Sequence, residues 1–471
     1  MSFQKSIITG CLLLCSTIAW SQNISNKISQ GFENLLSHPD LKHGIASLYV
    51  LDSKNNDVVF EKNSQLGLPT ASTLKVVTWI SALELLGPTY RYETKIGHTG
   101  IIDQSGILHG DIIIVGSGDP TLGSDRYAET KADALLKTWI EAMRKKGIKA
   151  IQGNIIADDR LYEGYDIPGG WLWTDMGNYY GAGVSALNWK ENKAGIQFKP
   201  GSIGSSADIA RMTADLSYLT VVNQVSTGNR GSGDGVYAYS APYSNKIYLR
   251  GTYGQDLQKT IEISIPDPAY QLAFDLHTEL EKTGIIISGK PQTGQSLAEQ
   301  GQSIPSISAL LSQHYSPQLT EIIHWFNQKS INLYGEALVR SIAHSKGKSN
   351  TPDGIMIVQQ LWTDRLGIYP AELDIMDGSG LSSQNNVNTA TIAKIMQYAI
   401  GKPWYSDFVK SLPTINQMRM KSGTIGGTLG YTGYHTAKNG QKYTFSILIY
   451  NYNGSASAMR RQIFSVLDIL R

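Results

Sequence analysis

Between Thr73 and Leu86 almost every position is apolar: Leu74, Val76, Val77, Trp79, Ile80, Ala82, Leu83, Leu85 and Leu86 surround a single lysine, Lys75. Pro69 stands ahead of the run and Gly87-Pro88 closes it, so the segment carries both the start and the stop signals of a helix. A helix that is apolar on nearly every side has to be buried, and a sizeable core must be built around it. Ser72 and Lys75 occupy its first turn. Residues three apart share a helix face, which brings the lysine ammonium within reach of the serine hydroxyl. The helix N-terminus adds free N–H groups and the positive end of a dipole, useful where an oxyanion develops. Burial would lower the lysine pKa, as a general base requires.

Ser-x-x-Lys alone is a weak signal, since Ser345-Lys346-Gly347-Lys348 repeats it in a polar stretch that reads as a solvated loop. Two more strings give it weight. Ser330-Ile331-Asn332 opens the helix expected over Asn332 to His344, and Lys421-Ser422-Gly423-Thr424 comes just before the last strands. Competing copies fall in the wrong places. Lys282-Thr283-Gly284 ends a helix, while Ser53-Lys54-Asn55 and Ser383-Gln384-Asn385 lack the right order and setting. Order and setting together are the signature of penicillin-recognising serine enzymes.

The chain then resembles the D-Ala-D-Ala carboxypeptidase/endopeptidase family, the class C low-molecular-mass penicillin-binding proteins. The long separation between Lys75 and Ser330 is similar to the insertion of that family. So are Gly116-Ser117-Gly118-Asp119-Pro120-Thr121-Leu122, Trp171-Leu172-Trp173-Thr174-Asp175 with Tyr179-Tyr180-Gly181-Ala182, Ser185-Ala186-Leu187-Asn188, and Asp377-Gly378-Ser379-Gly380-Leu381-Ser382. The resemblance runs from about residue 40 to the C-terminus. Ile331 and Ser383 depart from it, where the family commonly has Asp and Arg.

The resemblance implies an α/β (α+β) fold: a penicillin-binding, β-lactamase-like transpeptidase domain with an antiparallel sheet between helices, plus two inserted smaller domains. The expected boundaries are 22–92 and 303–471 for the catalytic domain, 93–116 and 197–302 for one insert, and 117–196 for the other. It also implies roles. Ser72 attacks the carbonyl and Lys75 takes its proton. Ser330, hydrogen-bonded towards Lys421, returns a proton to the leaving amine, and Asn332 holds a substrate amide. N–H groups of Ser72 and Thr424 form the oxyanion hole, and Ser422, Gly423 and Thr424 with Lys421 suit a terminal carboxylate. Asp175, with Tyr180 beside it, is expected either to meet the free ammonium of a wall-peptide diamino acid or to organise its own loop. The expected partners are peptidoglycan peptides and β-lactam antibiotics. A β-lactamase and a non-catalytic, penicillin-acylated wall sensor are the alternatives.

Lys5, the apolar run from Ile7 to Ala19 and the small-x-small Ala19-Trp20-Ser21 read as a signal peptide over residues 1–21. The expected location is therefore exported and periplasmic. Membrane association would follow only if Cys11, in Ile8-Thr9-Gly10-Cys11, were a lipid site. Both cysteines, Cys11 and Cys15, lie in this segment. No cofactor and no metal is expected: the nine histidines show no His-Glu-x-x-His spacing. No Gly-x-Ser-x-Gly elbow and no Gly-x-x-x-x-Gly-Lys-Ser/Thr phosphate loop occurs either. A net charge of +2 gives no electrostatic reason to expect nucleic acid. No later run is long and apolar enough to span a membrane.

Elsewhere, Gly44 to Leu51 and Val58 to Phe60 read as a hairpin. Helices are expected from about Ala132 to Gly147, from Asp267-Pro268 to Gly284 and over Thr389 to Ile400, with Met459, Ile463, Leu467 and Leu470 on a closing helix. Ile151 to Ala157 reads as one strand. Gly433 to Tyr452 reads as two strands joined at Asn439-Gly440, with His435 as a surface strand residue. The Asp377-Gly-Ser-Gly string reads as a structural turn.

Overall fold

The computed structural model describes residues 24–164 and 167–471, so the expected signal peptide with Cys11 and Cys15 lies outside the described residues. Two compact units emerge. One comprises residues up to Ser81, Val358–Met376 and Ser383–Arg471, and the other comprises Ala82–Ile357 and Asp377–Ser382.

The first unit is organised by a six-stranded antiparallel sheet. Its order is Val58–Lys62, Ile45–Asp52, Lys442–Tyr450, Thr428–Thr436, Met418–Ile425 and Thr414–Ile415. Strands from the two ends of the chain meet at its centre, where Ile45 to Asp52 pair with Tyr450 to Tyr443. Strand Lys442–Tyr450 is buried from Tyr443 to Ile449, which means that both of its faces are covered. On one face, Ile28, Phe32 and Leu35 of a helix over residues 24–36 join Met459 and Ile463 of the closing helix Ala456–Leu467. The other face meets helix Thr389–Ala399, where Ala390 and Ala393 pack on Tyr49 and Leu51. This is the expected antiparallel sheet between helices.

The apolar run behaves as anticipated. It opens as a 3-10 turn over Ala71–Leu74 and continues as helix Lys75–Leu86. Leu74, Val76, Val77, Trp79, Ile80 and Ala82 are all fully buried, as is Lys75.

The second unit holds a five-stranded sheet in the order Pro291–Thr293, Ile155–Asp158, Ile112–Val115, Glu93–His98, Ala309–Tyr315. Ile112–Val115 and Ile155–Asp158 run parallel, and helix Ala132–Lys145 lies between them in sequence, the expected α/β module. Leu135, Leu136, Trp139 and Met143 of that helix share a core with Leu272, Leu276 and Leu280 of helix Pro268–Lys282. A separate core (Ile196, Phe198, Ala238, Ile247, Leu249, Ile263) fills the space between two three-stranded sheets. Among the described residues no helix is long and apolar enough to cross a membrane.

Several local expectations are corrected. Ile151 to Ala157 is two strands, Ala150–Ile151 and Ile155–Asp158, which belong to different sheets. The break falls at Gly153, where a Cβ would lie 2.2 Å from the Gly110 carbonyl oxygen. The C-terminal hairpin starts at Thr428 rather than Gly433. Lys421-Ser422-Gly423-Thr424 comes just before the last two strands, as expected, and itself lies within strand Met418–Ile425.

The strings that carry the resemblance interlock. Gly118 donates its N–H to the Ala186 carbonyl at 2.7 Å, and the Asn188 amide donates to the carbonyls of Gly118 and Asp119 at 3.3 Å each. Asp119 is 2% exposed; one carboxylate oxygen accepts from the N–H and hydroxyl of Thr121, at 2.8 and 2.7 Å. Its other oxygen is buried without a hydrogen-bond partner. Burial pushes this carboxyl up to about 6. The folded chain therefore holds a proton that the unfolded carboxyl, with a pKa near about 3.9, has released. Stability from this group is full below about pH 4 and is lost as pH rises through about 6, a loss of roughly 2–3 kcal/mol. Urea unfolding of Asp119→Asn, compared with the parent at each pH, should lack that decline.

Candidate active site

In the first unit, Ala71 takes a left-handed conformation (φ 45°), rare for a residue with a side chain, immediately before Ser72. The chain turns sharply there and enters the helix. The Lys75 side-chain nitrogen donates to the Ser72 hydroxyl at 3.0 Å. Lys75 is 0% exposed, while Ser72 keeps partial access to solvent. The structure thus brings Ser72 and Lys75 together, at a distance over which a proton can pass directly.

The strand Met418–Ile425 lies against this turn. A Cβ at Gly423 would stand 2.8 Å from the Ser72 nitrogen, the Thr70 oxygen and the Thr73 nitrogen, so only glycine lets the strand come so near. Lys421, two residues earlier, is 2% exposed, and its ammonium donates to the Ser422 carbonyl at 2.8 Å. Burial, and then the charge of Lys75, hold the Lys421 pKa well below the usual lysine range. Ser422 is half-buried and Thr424 exposed. Strand Thr414–Ile415 pairs with this strand only at Met418 and Arg419. Beyond them, no described strand occupies that edge.

In the second unit, Ser330 is the joint between helices Leu319–Lys329 and Asn332–His344. It too is left-handed (φ 56°, ψ 41°), a conformation that costs of order 1 kcal/mol or more and concentrates at functional sites. Asn332 is the first residue of its helix and 9% exposed. Its side-chain amide donates to the Tyr180 carbonyl at 2.7 Å, and the Tyr180 hydroxyl donates to Asp175 at 3.1 Å. Three of the expected site residues are thus wired together. Burial raises the Asp175 carboxyl, which the Tyr180 hydrogen bond partly offsets. Tyr180 is raised strongly, by burial first and then by the Asp175 charge.

A model of the D-Ala-D-Ala carboxypeptidase 3 (S13) family matches residues 28–468. The chain belongs to that family. It is accordingly an enzyme, a serine hydrolase of D-Ala-D-Ala peptides. The chain is similar to the D-alanyl-D-alanine carboxypeptidase of Actinomadura sp., 25% identical over 458 residues that cover 91% of this chain and 82% of the relative. It is also similar to the D-alanyl-D-alanine carboxypeptidase DacB of Haemophilus influenzae, 22% identical with 84% of each covered. In fold it matches the crystal structure of penicillin binding protein 4 (dacB) from Haemophilus influenzae. That match has a TM-score of 0.77 at 20% identity, over 96% of this chain and 99% of the other. A second structure of that protein, complexed with a β-lactam, matches with a TM-score of 0.71 at 19% identity, over 94% and 97% of the two chains.

The carboxypeptidase has a supporting network that sequence reasoning missed. Tyr334, two residues into the Asn332 helix, donates its hydroxyl to Glu191 at 2.9 Å. Glu191 is gripped by Arg126 through two contacts of 2.6 and 3.1 Å, by Ser124 at 2.9 Å and by Lys193 at 3.3 Å. Arg126 and Lys193 outweigh burial and keep its carboxyl below the usual range. The loop that presents it is costly, with Lys190, Glu191 and Asn192 all left-handed. Nothing local in Lys190-Glu191-Asn192 announces a buried anchor. Helix Leu319–Lys329, which makes Ser330 a joint rather than a simple helix start, was missed too. Its Leu319, Ile322, Ile323 and Phe326 spacing was the available signal.

His435 lies in strand Thr428–Thr436, as expected, and is half-buried; its Nε2 is enclosed without a hydrogen-bond partner, and burial lowers its pKa. The Asp377 turn is as expected, with the carboxylate accepting from the N–H groups of Gly380 and Ser382 and from the Trp171 indole at 2.8 Å. Ser345 to Lys348 is exposed. Gly423→Ala should displace the strand from the turn at Ser72. It should slow D-Ala release from a D-Ala-D-Ala peptide by about 10²-fold or more, the scale expected for a misplaced catalytic group. Steady-state kinetics on the purified variant would measure it.

Proposed function

We propose that the enzyme cuts D-Ala-terminated wall peptides through an acyl-enzyme on Ser72. The observation that carries this reading is the 3.0 Å contact between a fully buried lysine and the serine at a helix N-terminus. Two buried lysine charges disfavour each other, so the pair gives up a proton more readily than free lysine. A substrate carboxylate beside Lys421 offsets that depression and favours its charge, so in the substrate complex we assign the neutral nitrogen to Lys75, which lies against the Ser72 hydroxyl. Lys421 keeps its charge when a substrate carboxylate arrives, with Ser422 and Thr424 offering hydroxyl donors.

In acylation the Ser72 oxygen bonds to the carbonyl carbon and its proton passes to Lys75. The oxyanion is assigned to the N–H groups of Ser72 and Thr424. The C–N bond then breaks as the proton held by Lys75 is relayed through the Ser330 hydroxyl to the leaving amine, which restores both groups, while Asn332 holds a substrate amide. Water cleaves the ester, which frees the acid and restores the Ser72 hydroxyl. Carboxypeptidase and endopeptidase action differ only in what the amine carries. The open edge of strand Met418–Ile425 supports an extended peptide lying alongside it, with Gly423 allowing close approach. β-Lactams, whose complex with the Haemophilus influenzae protein is known, would acylate the same serine. Export to the periplasm by the segment 1–21 fits a wall substrate.

Asp175, a carboxylate beside Tyr180, is proposed to receive the side-chain ammonium of a diamino acid. D-Ala release from matched peptides with free and acetylated side-chain amines tests these roles. Ser330→Ala should lower kcat by roughly 10²–10⁴-fold on both. Asp175→Asn should abolish the preference for the free amine. Undiminished turnover by Ser330→Ala would remove its role in proton delivery, and a retained preference in Asp175→Asn would leave that carboxylate as a loop organiser.

A further inference from the structure

The three-stranded sheet Thr220–Gly228, Lys246–Gly254 and Asp234–Tyr239 has one face in the core and one in solvent. Val236 and Ala238 point inward at 7% and 0% exposure, so strand alternation turns Tyr237 and Tyr239 outward. Across the ladder, Tyr237 faces Arg250 and Tyr239 faces Tyr248. The Arg250 guanidinium stacks over both Tyr239 and Tyr248, at 5.7 and 5.6 Å, and Gln224 accepts from its Nε at 2.8 Å. Trp173 packs on Tyr239 with ring centres 4.9 Å apart, yet remains 61% exposed. Tyr237 is 47% exposed and Tyr179 52%.

This cluster is more than scattered surface aromatics. It is contiguous, fixed by a guanidinium, and fringed by phenol hydroxyls and an indole N–H. Exposed patches of that kind mark recognition sites, and rigid aromatics with arginine are the residues that anchor them. It also adjoins the Asp175 site. Trp173 and Asp175 share the short helix Trp173–Met176, and Tyr179 packs edge-on against Tyr180 with ring centres 5.5 Å apart. Flat rings with polar edges match the C–H faces and hydroxyl rims of sugars. A lipid or a greasy peptide would call for Leu or Met in place of those phenols.

We propose that this face binds the saccharide chain of peptidoglycan, the polymer that carries the peptides cut at Ser72. The inference rests on the peptidoglycan reading above and adds a second contact with the same substrate. The probe is a peptide-free β-1,4-linked N-acetylglucosamine tetramer, titrated calorimetrically into the mature protein. Binding in the range of about 1 mM or tighter is expected. Tyr237→Ala and Arg250→Ala should each weaken it about tenfold, the loss expected of an anchor residue. Arg250→Lys, which keeps the charge but not the flat plate, should weaken it as well. Both positions are exposed, and a thermal melt of each variant checks the fold.

The same variants should lower the ratio of kcat/KM on a glycan-linked stem peptide to that on the free peptide by about tenfold. Absent binding by the parent, or binding and ratio unchanged in the variants, would overturn the proposal even if the free peptide is still hydrolysed. So would self-association through this face that the variants abolish while the sugar does not bind. Sugar binding that is lost in the variants while no peptide is turned over would keep the surface and remove the catalytic reading instead.

Discussion

An ammonium group out of contact with water is an expensive thing to place inside a protein; the cost runs to several kcal/mol even after relaxation. Lys75 sits fully buried in the first turn of an apolar helix, where its nitrogen meets the Ser72 hydroxyl. Much of the first unit serves to hold that arrangement. Ala71 takes a left-handed turn to deliver Ser72 to the helix. Gly423 lets a strand pass within van der Waals reach of the same turn, and this brings a second buried lysine, Lys421, into the field of the first. The sheet that carries Lys421 is closed by residues from both ends of the chain, so the site cannot be assembled until the whole unit is.

Within the second unit the candidate residues are positioned by other means. Ser330 is presented at a strained joint between two helices, and Asn332 is tied through Tyr180 to Asp175. A buried ion-pair cluster around Glu191 pins Tyr334 of the same helix. Residues far apart in sequence are thereby held to one local frame. Part of the long stretch between Lys75 and Ser330 is thus scaffold for the helix that Asn332 begins.

How much could be read from the sequence depended on whether the cause was local. The all-round apolar helix, its stop at Gly87, the hairpin at Asn439-Gly440 and the helix capped by Asp267 each follow from a few neighbouring residues, and each is found. Ser72 and Lys75 were legible because a three-residue spacing on a helix is itself a contact. Gly153 splits a strand because of a carbonyl more than forty positions away, and the left-handed Lys190 to Asn192 turn exists to place Glu191 against Arg126. Those causes are tertiary and leave no local trace. The helix over 24–36 was different, since Ile28, Phe32 and Leu35 do show helical spacing, but only the partner helix near the C-terminus gives that spacing a purpose.

The central claim is that Ser72 is the nucleophile. Mass spectrometry after brief exposure to benzylpenicillin, on the mature protein and on Ser72→Ala, tests it most directly. The account predicts a persistent penicilloyl adduct confined to the peptide that contains Ser72, and none in the variant. An adduct on another residue, or no adduct with the penicillin left intact, would contradict it.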